Sequence, residues 1–337
     1  MVPHSTRSTL SRRGAITALG AITLCIPLGS FAQPQKVARV GVLQAFTPQN
    51  DTSWALEDLR RGLRELGYVE GKNLQLELRW AEGKLERLPA LAADLVARKV
   101  DVIVAISSPA VLAAKQATQT IPIVMPLSSD PVGDGVVASL AHPGGNITGL
   151  SSMSAESGAK RLQLLSEILA RPGNPVAVMW NPAYVGMAAR YKQTANAAPT
   201  IGMKVKSVEV RDSRELEQAF ADLVRDRPDA LMLLVDPLTL SQRIRIVEFA
   251  TEQRLPAIYE SSEFVDAGGL VSYGANRDEL LRRSATYVDK ILRGAKPADL
   301  PIEQPDRFEL VVNLRTAKAL NITIPQSVLV RADRIIQ

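Results

Sequence analysis

The sequence predicts an α/β protein of two similar lobes, each built on a parallel sheet, joined by a hinge that the chain crosses several times. Continuous apolar segments such as 100–106 alternate with helical patterns, and uninterrupted apolar runs are typical of parallel strands buried on both faces. The pattern also begins afresh after residue 150. Residues 101–106 followed by Ser-Ser-Pro resemble residues 229–235 followed by Asp-Pro, which indicates two arrays of the same kind.

The first array contains four predicted strands, at 37–43, 74–80, 100–106 and 121–127. In the second strand, leucines alternate with polar residues up to Trp80, which predicts a half-buried strand near a sheet edge. The helix after the first strand has apolar residues at helical spacing and ends at Gly67. After the third strand, Ser108 is the expected N-cap of a helix whose first residue is Pro109.

The second array begins with a helix at 156–169 and contains predicted strands at 176–180, 203–208, 230–235 and 257–259. A third section then adds a strand at 270–274, a helix capped by Asn276 and a strand at 308–312. These late elements follow two completed arrays, which predicts that the chain crosses back between the lobes. The expected division is a leader at 1–32, a first lobe at 33–149 plus about 270–302, and a second lobe at 150–269 plus about 303–337.

The hinge is predicted where a short strand follows the Gly144-Gly145 turn, with Thr148, Gly149 and Ser151 as hinge residues. Further crossings are expected near Glu263–Leu270 and near Ile302–Phe308.

The first 32 residues predict a secretory signal peptide and hence a periplasmic protein. They contain Arg7, Arg12 and Arg13 without acidic residues, an apolar segment at 15–28, and a small-x-small cleavage site at 30–32. The apolar segment is shorter than the roughly 20 residues of a membrane-spanning helix. The pattern leaves both the general and the twin-arginine export routes open.

The composition of the remaining chain excludes several classes of protein. Without the leader, 37 Lys and Arg face 35 Asp and Glu, and the charges interleave along helices, which favours solvated faces over nucleic-acid binding. Cys25 and His4 lie in the leader, so His142 is the one remaining histidine. Disulfides, thiolate chemistry and multi-histidine metal sites are therefore excluded, and neither a metal nor a cofactor is predicted.

A glycine motif offers a weak argument for an enzyme. Gly133, Gly135 and Ala138 have the spacing of a dinucleotide-binding fingerprint, but they follow a fourth strand and a proline-containing loop instead of a first strand. A short helix packed through small residues is the favoured interpretation. The sequence contains no nucleophile elbow or metal motif, so an enzyme remains a remote alternative.

Candidate ligand-binding residues follow from the rule that ligands bind outside the carboxyl ends of parallel strands. The first lobe offers Gln44, Phe46, Ser107, Ser108, Ser129 and Asp130, and the second offers Asn181, Asp236, Tyr259, Glu260 and Tyr273.

Hydroxyls and a helix N-terminus in one lobe, facing carboxylates in the other, suit a zwitterion. A ligand carboxylate would lie on Ser107 and Ser108, and its ammonium group on Asp236 or Asp130. We therefore expect an amino acid or a similar small polar solute. Structural roles remain open for several candidates: Asp236 as an N-cap, Asp130 as a turn former, and Tyr273 as ordinary packing.

The chain resembles the ABC-transporter substrate-binding family that includes the bacterial tryptophan and phenylalanine binding proteins. The matching text covers nearly the whole chain after the leader and includes Arg39-Val-Gly-Val-Leu, Arg79-Trp-Ala-Glu-Gly, Ser129-Asp-Pro-Val-Gly, Pro143-Gly-Gly-Asn-Ile-Thr-Gly, Gly269-Leu-Val-Ser-Tyr-Gly and Phe308-Glu-Leu-Val-Val-Asn-Leu. The resemblance implies a type I periplasmic-binding-protein fold, in which two Rossmann-like lobes close on a solute and deliver it to an inner-membrane permease. A second hypothesis is a sensor of the same fold that signals to a membrane receptor. The sequence does not identify the surface that contacts a partner, so it does not distinguish transport from sensing.

Overall fold

The computed structural model describes residues 37–45, 53–154, 156–169 and 173–337, so the predicted signal peptide lies outside the described residues. The strands are β1 (Ala38–Gln44), β2 (Leu74–Trp80), β3 (Val102–Ile106), β4 (Ile123–Ser128), β5 (Ile147–Ser151), β6 (Val176–Trp180), β7 (Val205–Glu209), β8 (Ala230–Leu233), β9 (Ala257–Tyr259), β10 (Val271–Ala275), β11 (Phe308–Asn313) and β12 (Arg334–Ile336). The helices are α1 (Ser53–Glu65), α2 (Leu88–Ala97), α3 (Ser108–Ala117), α4 (Gly158–Leu169), α5 (Met187–Ala197), α6 (Ser213–Asp226), α7 (Pro237–Ser241), α8 (Arg243–Glu252), α9 (Ser262–Asp266), α10 (Arg277–Leu292), α11 (Leu314–Ala319) and α12 (Gln326–Leu329). Among the described residues, no helix is both long and apolar enough to cross a membrane.

The first lobe is built on a parallel sheet of order β2-β1-β3-β4-β5. Its central strand, β3, is buried along its whole length, which explains its continuous apolar sequence. One face of the sheet packs against α2 and α3, and the other packs against α1 and α10. The predicted edge strand, β2, does lie at the edge.

The second lobe is built on a sheet of order β12-β11-β10-β9-β8-β6-β7. Its strands are parallel except at β10 and β11, which pair antiparallel. Parallel neighbours are usually joined by a crossover helix that packs on their own sheet. The connection from β10 to β11 instead passes through α10 in the first lobe, and β11 returns antiparallel to β10.

The helix α10 belongs to the first lobe although it lies between two strands of the second. It packs along α1, where a side chain at Gly62 would overlap the carbonyl oxygen of Arg282. Tyr68, just after α1, donates a hydrogen bond to Asp289 Oδ1 at 2.9 Å. The two helices therefore approach each other closely over most of their length.

The chain passes between the lobes three times. The first crossing follows β5, and the third lies between Glu303, whose N–H donates to Gly149 O, and the start of β11. The second was expected near Glu263–Leu270, but the structure places it after Ala275. Strand β10 stays in the second sheet because it pairs with both β9 and β11.

Two local expectations were wrong. The N-cap of α3 is Ser107, not Ser108, and the helix begins one residue before Pro109. Residues 131–135, which contain the Gly133 motif, form turns instead of a short helix. Gly133 N donates to Asp130 Oδ1 at 2.8 Å, and a side chain on this glycine would overlap the Asp130 carboxylate. The glycine spacing therefore serves a tight turn.

Substitution of Gly149 would test the close packing of β4 against β5 at the hinge. It has φ of 139°, and a side-chain carbon there would overlap the carbonyl oxygen of Met125 in the neighbouring strand. We expect Gly149→Ala to lower the free energy of unfolding by about 3 kcal/mol, through backbone strain and overpacking together. Urea denaturation measures this loss.

Gly145→Ala is the matched control, because nothing lies within 4 Å of an added side-chain carbon and its φ is not strained. A loss at Gly149 no larger than that at Gly145 would contradict the close approach of β4 and β5.

Candidate functional site

A small cavity of about 30 Å³ lies where the two sheets face each other. Its polar wall residues are Ser107, Tyr184, Asp236 and Arg277, and its apolar wall residues are Ile106, Leu127, Val235 and Pro237. Ile106 ends β3 in the first lobe and Ser107 directly follows it, whereas Val235 and Asp236 follow β8 in the second. The cavity thus lies at the carboxyl ends of strands from both sheets, as expected for ligand binding in this kind of fold.

Ser107 presents an unsatisfied hydroxyl to this cavity. The residue is 6% exposed, and its Oγ accepts or donates no hydrogen bond of normal geometry among the described residues. Its backbone has φ of 111° and ψ of 148°, a conformation that costs energy for a residue with a side chain. As the N-cap of α3, it also marks a helix N-terminus, where free N–H groups and the helix dipole favour an anion.

Two more buried groups of the first lobe lack partners near the same sheet edge. Gln44 at the end of β1 is fully buried, and within the described chain neither of its amide atoms forms a hydrogen bond. Ser128 at the end of β4 is also fully buried with an unpartnered Oγ among those residues. Buried polar atoms without partners are rare in folded proteins, so this edge has hydrogen-bonding capacity that the other described residues do not use.

Asp236 supplies a buried carboxylate on the opposite wall. It is the N-cap of α7, with Oδ1 accepting from Thr239 N at 2.8 Å and Oδ2 accepting from Asn181 Nδ2 at 2.6 Å. Burial raises the pKa of Asp236, and the hydrogen bonds from Thr239 and Asn181 oppose this effect. The carboxylate is therefore fixed in position, and each oxygen retains capacity for a further donor.

Tyr184 reaches from the second lobe to the N-terminus of α3. It lies in the loop after β6, where Tyr184 N donates to Asn181 O at 3.2 Å. Burial raises the pKa of its hydroxyl, and contacts with Ser107 and the Ser108 backbone oppose the rise. The hydroxyl stays protonated at neutral pH and lies beside Ser107 at the cavity wall.

Beneath the cavity, the second lobe holds a buried cluster of two arginines and one glutamate. Glu260 pairs with Arg190 and lies 3.9 Å from Arg161 NH2, and its Oε2 also accepts from Val235 N at 3.2 Å. Burial alone would raise the pKa of Glu260, but the charges of Arg190 and Arg161 outweigh it and lower the pKa. The three side chains together leave one positive charge uncompensated within the cluster.

Arg161 connects this cluster to the first crossing. Its guanidinium donates to Ser157 Oγ at 2.9 Å, to Ser154 O at 3.0 Å and to Tyr273 O at 3.2 Å. Burial lowers the pKa of Arg161 to about 10, so the side chain remains charged at neutral pH. The segment after β5 is thereby fastened to the sheet of the second lobe.

The cavity wall brings together Ser107 and Asp236 from the predicted set, and Asn181 supports Asp236 from behind. Ser108 donates its hydroxyl to Asp134 Oδ2 at 2.9 Å, and Asp130 serves the turn at Gly133. Ser129 directly follows β4 and is 9% exposed. Phe46 lies outside the described residues.

The two predicted tyrosines of the second lobe lie away from the cavity wall. Tyr259 stacks on Phe264 with ring centroids 4.8 Å apart, and Tyr273 stacks on Phe308 at 5.6 Å. Both rings therefore pack against their own lobe.

Sequence reasoning missed Tyr184 and Arg277 as cavity residues. Tyr184 could have been found, because it follows a predicted strand by four residues, as a strand-end loop requires. Arg277 begins α10 and lies 3.2 Å from Glu263 through its Nε. Its place in the cavity depends on the second crossing, which the local pattern put elsewhere.

A larger groove, about 300 Å³, lies between β7 and α6 at the far edge of the second sheet. Its charged residues pair with one another, as Lys206 does with Asp226 at 2.5 Å and Arg211 with Glu209 at 2.7 Å. It contains no group from the first lobe and none of the unsatisfied atoms. The cavity at Ser107 and Asp236 is therefore the candidate site.

Fold and site together define a solute-binding protein of two lobes. A family model described as ABC transporter substrate binding protein matches residues 41–336, so the chain belongs to this family. It has the type I periplasmic-binding-protein fold. A curated relative, the tyrosine-binding protein of Clostridioides difficile strain R20291, is 29% identical over 262 residues, which cover 78% of this chain and 75% of the relative.

Two solved structures differ in how well they superpose on the chain. A structure from Streptococcus pneumonia in complex with L-Trp is 25% identical and has a TM-score of 0.81, covering 89% of this chain and 99% of that one. A ligand-free, open substrate-binding protein with adhesive properties from Clostridium difficile is 27% identical, with a TM-score of 0.65 and coverage of 89% and 100%. The lobe arrangement here is thus closer to that of the L-Trp complex, in agreement with the contact of Tyr184 across the cleft.

The buried cluster gives a prediction about stability. Glu260→Gln leaves two guanidinium groups without their counter-charge, so we expect the free energy of unfolding at pH 7 to fall by about 3–5 kcal/mol in urea denaturation. Because the folded pKa of Glu260 is lowered, the wild-type advantage is fully present above the ordinary glutamate pKa of about 4.3 and is lost as the pH falls through the folded pKa. The difference between the two proteins should therefore shrink on acidification.

Glu209→Gln is the control, since it removes an exposed ion pair with Arg211 and should change stability by less than about 1 kcal/mol. Parallel stability curves for wild type and Glu260→Gln across the acidic range would contradict the assignment of charge to the cluster.

Proposed function

We propose that this protein is the periplasmic solute-binding component of an ABC importer and that it captures an amino acid between its two lobes. One observation carries the proposal: an unsatisfied hydroxyl at a helix N-terminus and a fixed carboxylate, from opposite lobes, line one cavity. The first group suits a carboxylate and the second suits an ammonium group. A free amino acid carries both.

The apolar wall residues indicate which class of amino acid the site favours. Ile106, Leu127, Val235 and Pro237 surround the polar groups, and the Tyr184 ring adds an aromatic surface. An apolar or aromatic side chain buried against these walls contributes roughly 1.5–3 kcal/mol, whereas a charged one would lose its hydration. We therefore favour amino acids with apolar or aromatic side chains. One relative is named a tyrosine-binding protein and a similar solved structure is a complex with L-Trp, and both names support aromatic amino acids as the ligand class.

In this proposal the solute binds while the lobes move about the three crossings. The closed form buries the solute and brings Ser107 and Asp236 to its two ends. The closed protein then docks on a membrane permease, and the predicted signal peptide places it in the periplasm. Arg277 contributes a further positive charge to the cavity wall and favours the carboxylate end of the solute.

Ligand class can be tested by a thermal-shift screen of residues 33–337, unfolded and refolded to remove carried-over solute. At 100 times its dissociation constant, a bound amino acid should stabilise the fold by about 2.7 kcal/mol. We expect shifts with apolar and aromatic amino acids and none with sugars or nucleosides. A sugar hit without any amino-acid hit would overturn the assigned ligand class.

Asp236→Asn tests the ammonium site directly. Losing the buried counter-charge should raise the dissociation constant about 30-fold or more in calorimetric titration. The control is Asp212→Asn, since Asp212 is also an extended N-cap that accepts from two helix N–H groups but lies outside the cavity wall. Equal affinities for the wild type and both variants would show that Asp236 is only a cap.

A further inference from the structure

Two loops from opposite lobes meet across the cleft beside the cavity. Residues 130–135 follow β4 in the first lobe, and residues 181–186 connect β6 to α5 in the second. A side-chain carbon at Gly186 would overlap the Asp134 carboxylate, so the loops touch with no room for a larger residue. Gly186 is the N-cap of α5 and has φ of 77°. The Asp134 carboxylate therefore lies at the N-terminus of a helix in the other lobe, where the helix dipole favours negative charge.

Asp134 also holds the ligand-facing helix of its own lobe. Its Oδ2 accepts a hydrogen bond from Ser108 Oγ at 2.9 Å, and Ser108 is only 1% exposed. Ser108 is the first residue of α3 and directly follows Ser107, whose free hydroxyl faces the cavity. A single carboxylate thus contacts the N-terminal ends of α3 and α5.

The charges around Asp134 fit this position. Burial raises the pKa of Asp134, while the Ser108 hydrogen bond and the nearby charge of Arg190 oppose the rise, and Asp130 adds repulsion. Arg190 belongs to the cluster in which two guanidinium groups share one carboxylate. Asp134, from the first lobe, places a negative charge near the excess positive charge of this cluster.

We propose that Asp134 is a positioning residue for solute capture. It fixes the N-terminus of α3 through Ser108 and contacts the N-terminus of α5 at Gly186. When the lobes close, these contacts place Ser107 and Asp236 opposite each other across the cavity. It sets affinity without lining the cavity wall. This inference rests on the lobe closure of the proposed function.

A double-mutant cycle tests the contact. Gly186→Ala should raise the dissociation constant for an amino-acid ligand about threefold or more, because the methyl group meets the Asp134 carboxylate only when the lobes are closed. In an Asp134→Ala background, which has room for the methyl group, the same substitution should have little further effect. Gly202→Ala is the matched control, since it has φ of 74° in the same lobe and no neighbour within 4 Å. It should lose stability through backbone strain and keep its affinity.

Asp134→Ala alone should weaken binding, and the loss of the acceptor for Ser108 should also lower the urea midpoint. Asp134→Asn should restore much of the affinity, because the amide oxygen can still accept from Ser108 and keeps the shape. Equal effects of Gly186→Ala in both backgrounds would overturn the proposal. An Asp134→Ala protein with wild-type affinity would do the same.

Lobe closure can be measured independently of ligand identity. Since the one cysteine, Cys25, lies in the predicted leader, residues 33–337 can be labelled through Lys72→Cys in the first lobe and Lys204→Cys in the second. Fluorescence transfer should report a smaller closed fraction for Asp134→Ala than for wild type, with or without solute. If no amino acid binds the wild type but this difference persists, the ligand assignment fails and the role of Asp134 stands. An unchanged closed fraction overturns the role of Asp134.

Discussion

The ion cluster of Arg161, Glu260 and Arg190 is the constraint on which the second lobe and its side of the cleft depend. Glu260 accepts from the backbone at the end of β8, immediately before Asp236, while Arg161 binds the carbonyl of Tyr273 in β10 and the segment after β5. The end of β8, the residue after β9, strand β10 and the first crossing are thus tied to one set of charges. Burying three charged groups is costly, and only mutual pairing and several hydrogen bonds offset that cost. The geometry around the cluster can therefore vary little.

The cleft shows the complementary situation, because its polar groups are fixed but not fully used. Asp236 is held by Asn181 and Thr239, and Ser107 is held in a strained backbone, so both are ordered before any solute arrives. A site that is ordered in advance loses less conformational entropy when it binds. Strain at Ser107, and buried atoms of Gln44 and Ser128 that have no partner among the described residues, reduce the stability of the fold. A ligand that supplies partners can recover part of that loss. Stability and binding are thus linked at the same strand ends.

Much of this architecture could be predicted from local sequence. Buried parallel strands are apolar throughout, so β1, β3 and β6 were recognisable, and Asp212 and Asn276 cap their helices through their own neighbours. The second crossing could not be predicted, because β10 has the same apolar pattern whichever sheet it joins. Strand β12 has three residues and is too short for a periodic pattern. Asp134 lies within the glycine motif and Arg277 begins the helix capped by Asn276, but neither local pattern indicates their neighbours, which come from distant parts of the chain. The apolar pattern of the sequence indicated where the strands end, but tertiary packing determines which side chains meet there.

The position of α10 has a consequence for the order in which the protein folds. The core of the first lobe needs this helix against α1, and the hydrogen bond between Tyr68 and Asp289 spans 221 residues. During synthesis, the N-terminal sheet therefore emerges long before the helix that covers one of its faces. Contacts between distant parts of a chain form slowly, because a long loop must close first. The first lobe remains incomplete, with an uncovered apolar face, until most of the second has been made.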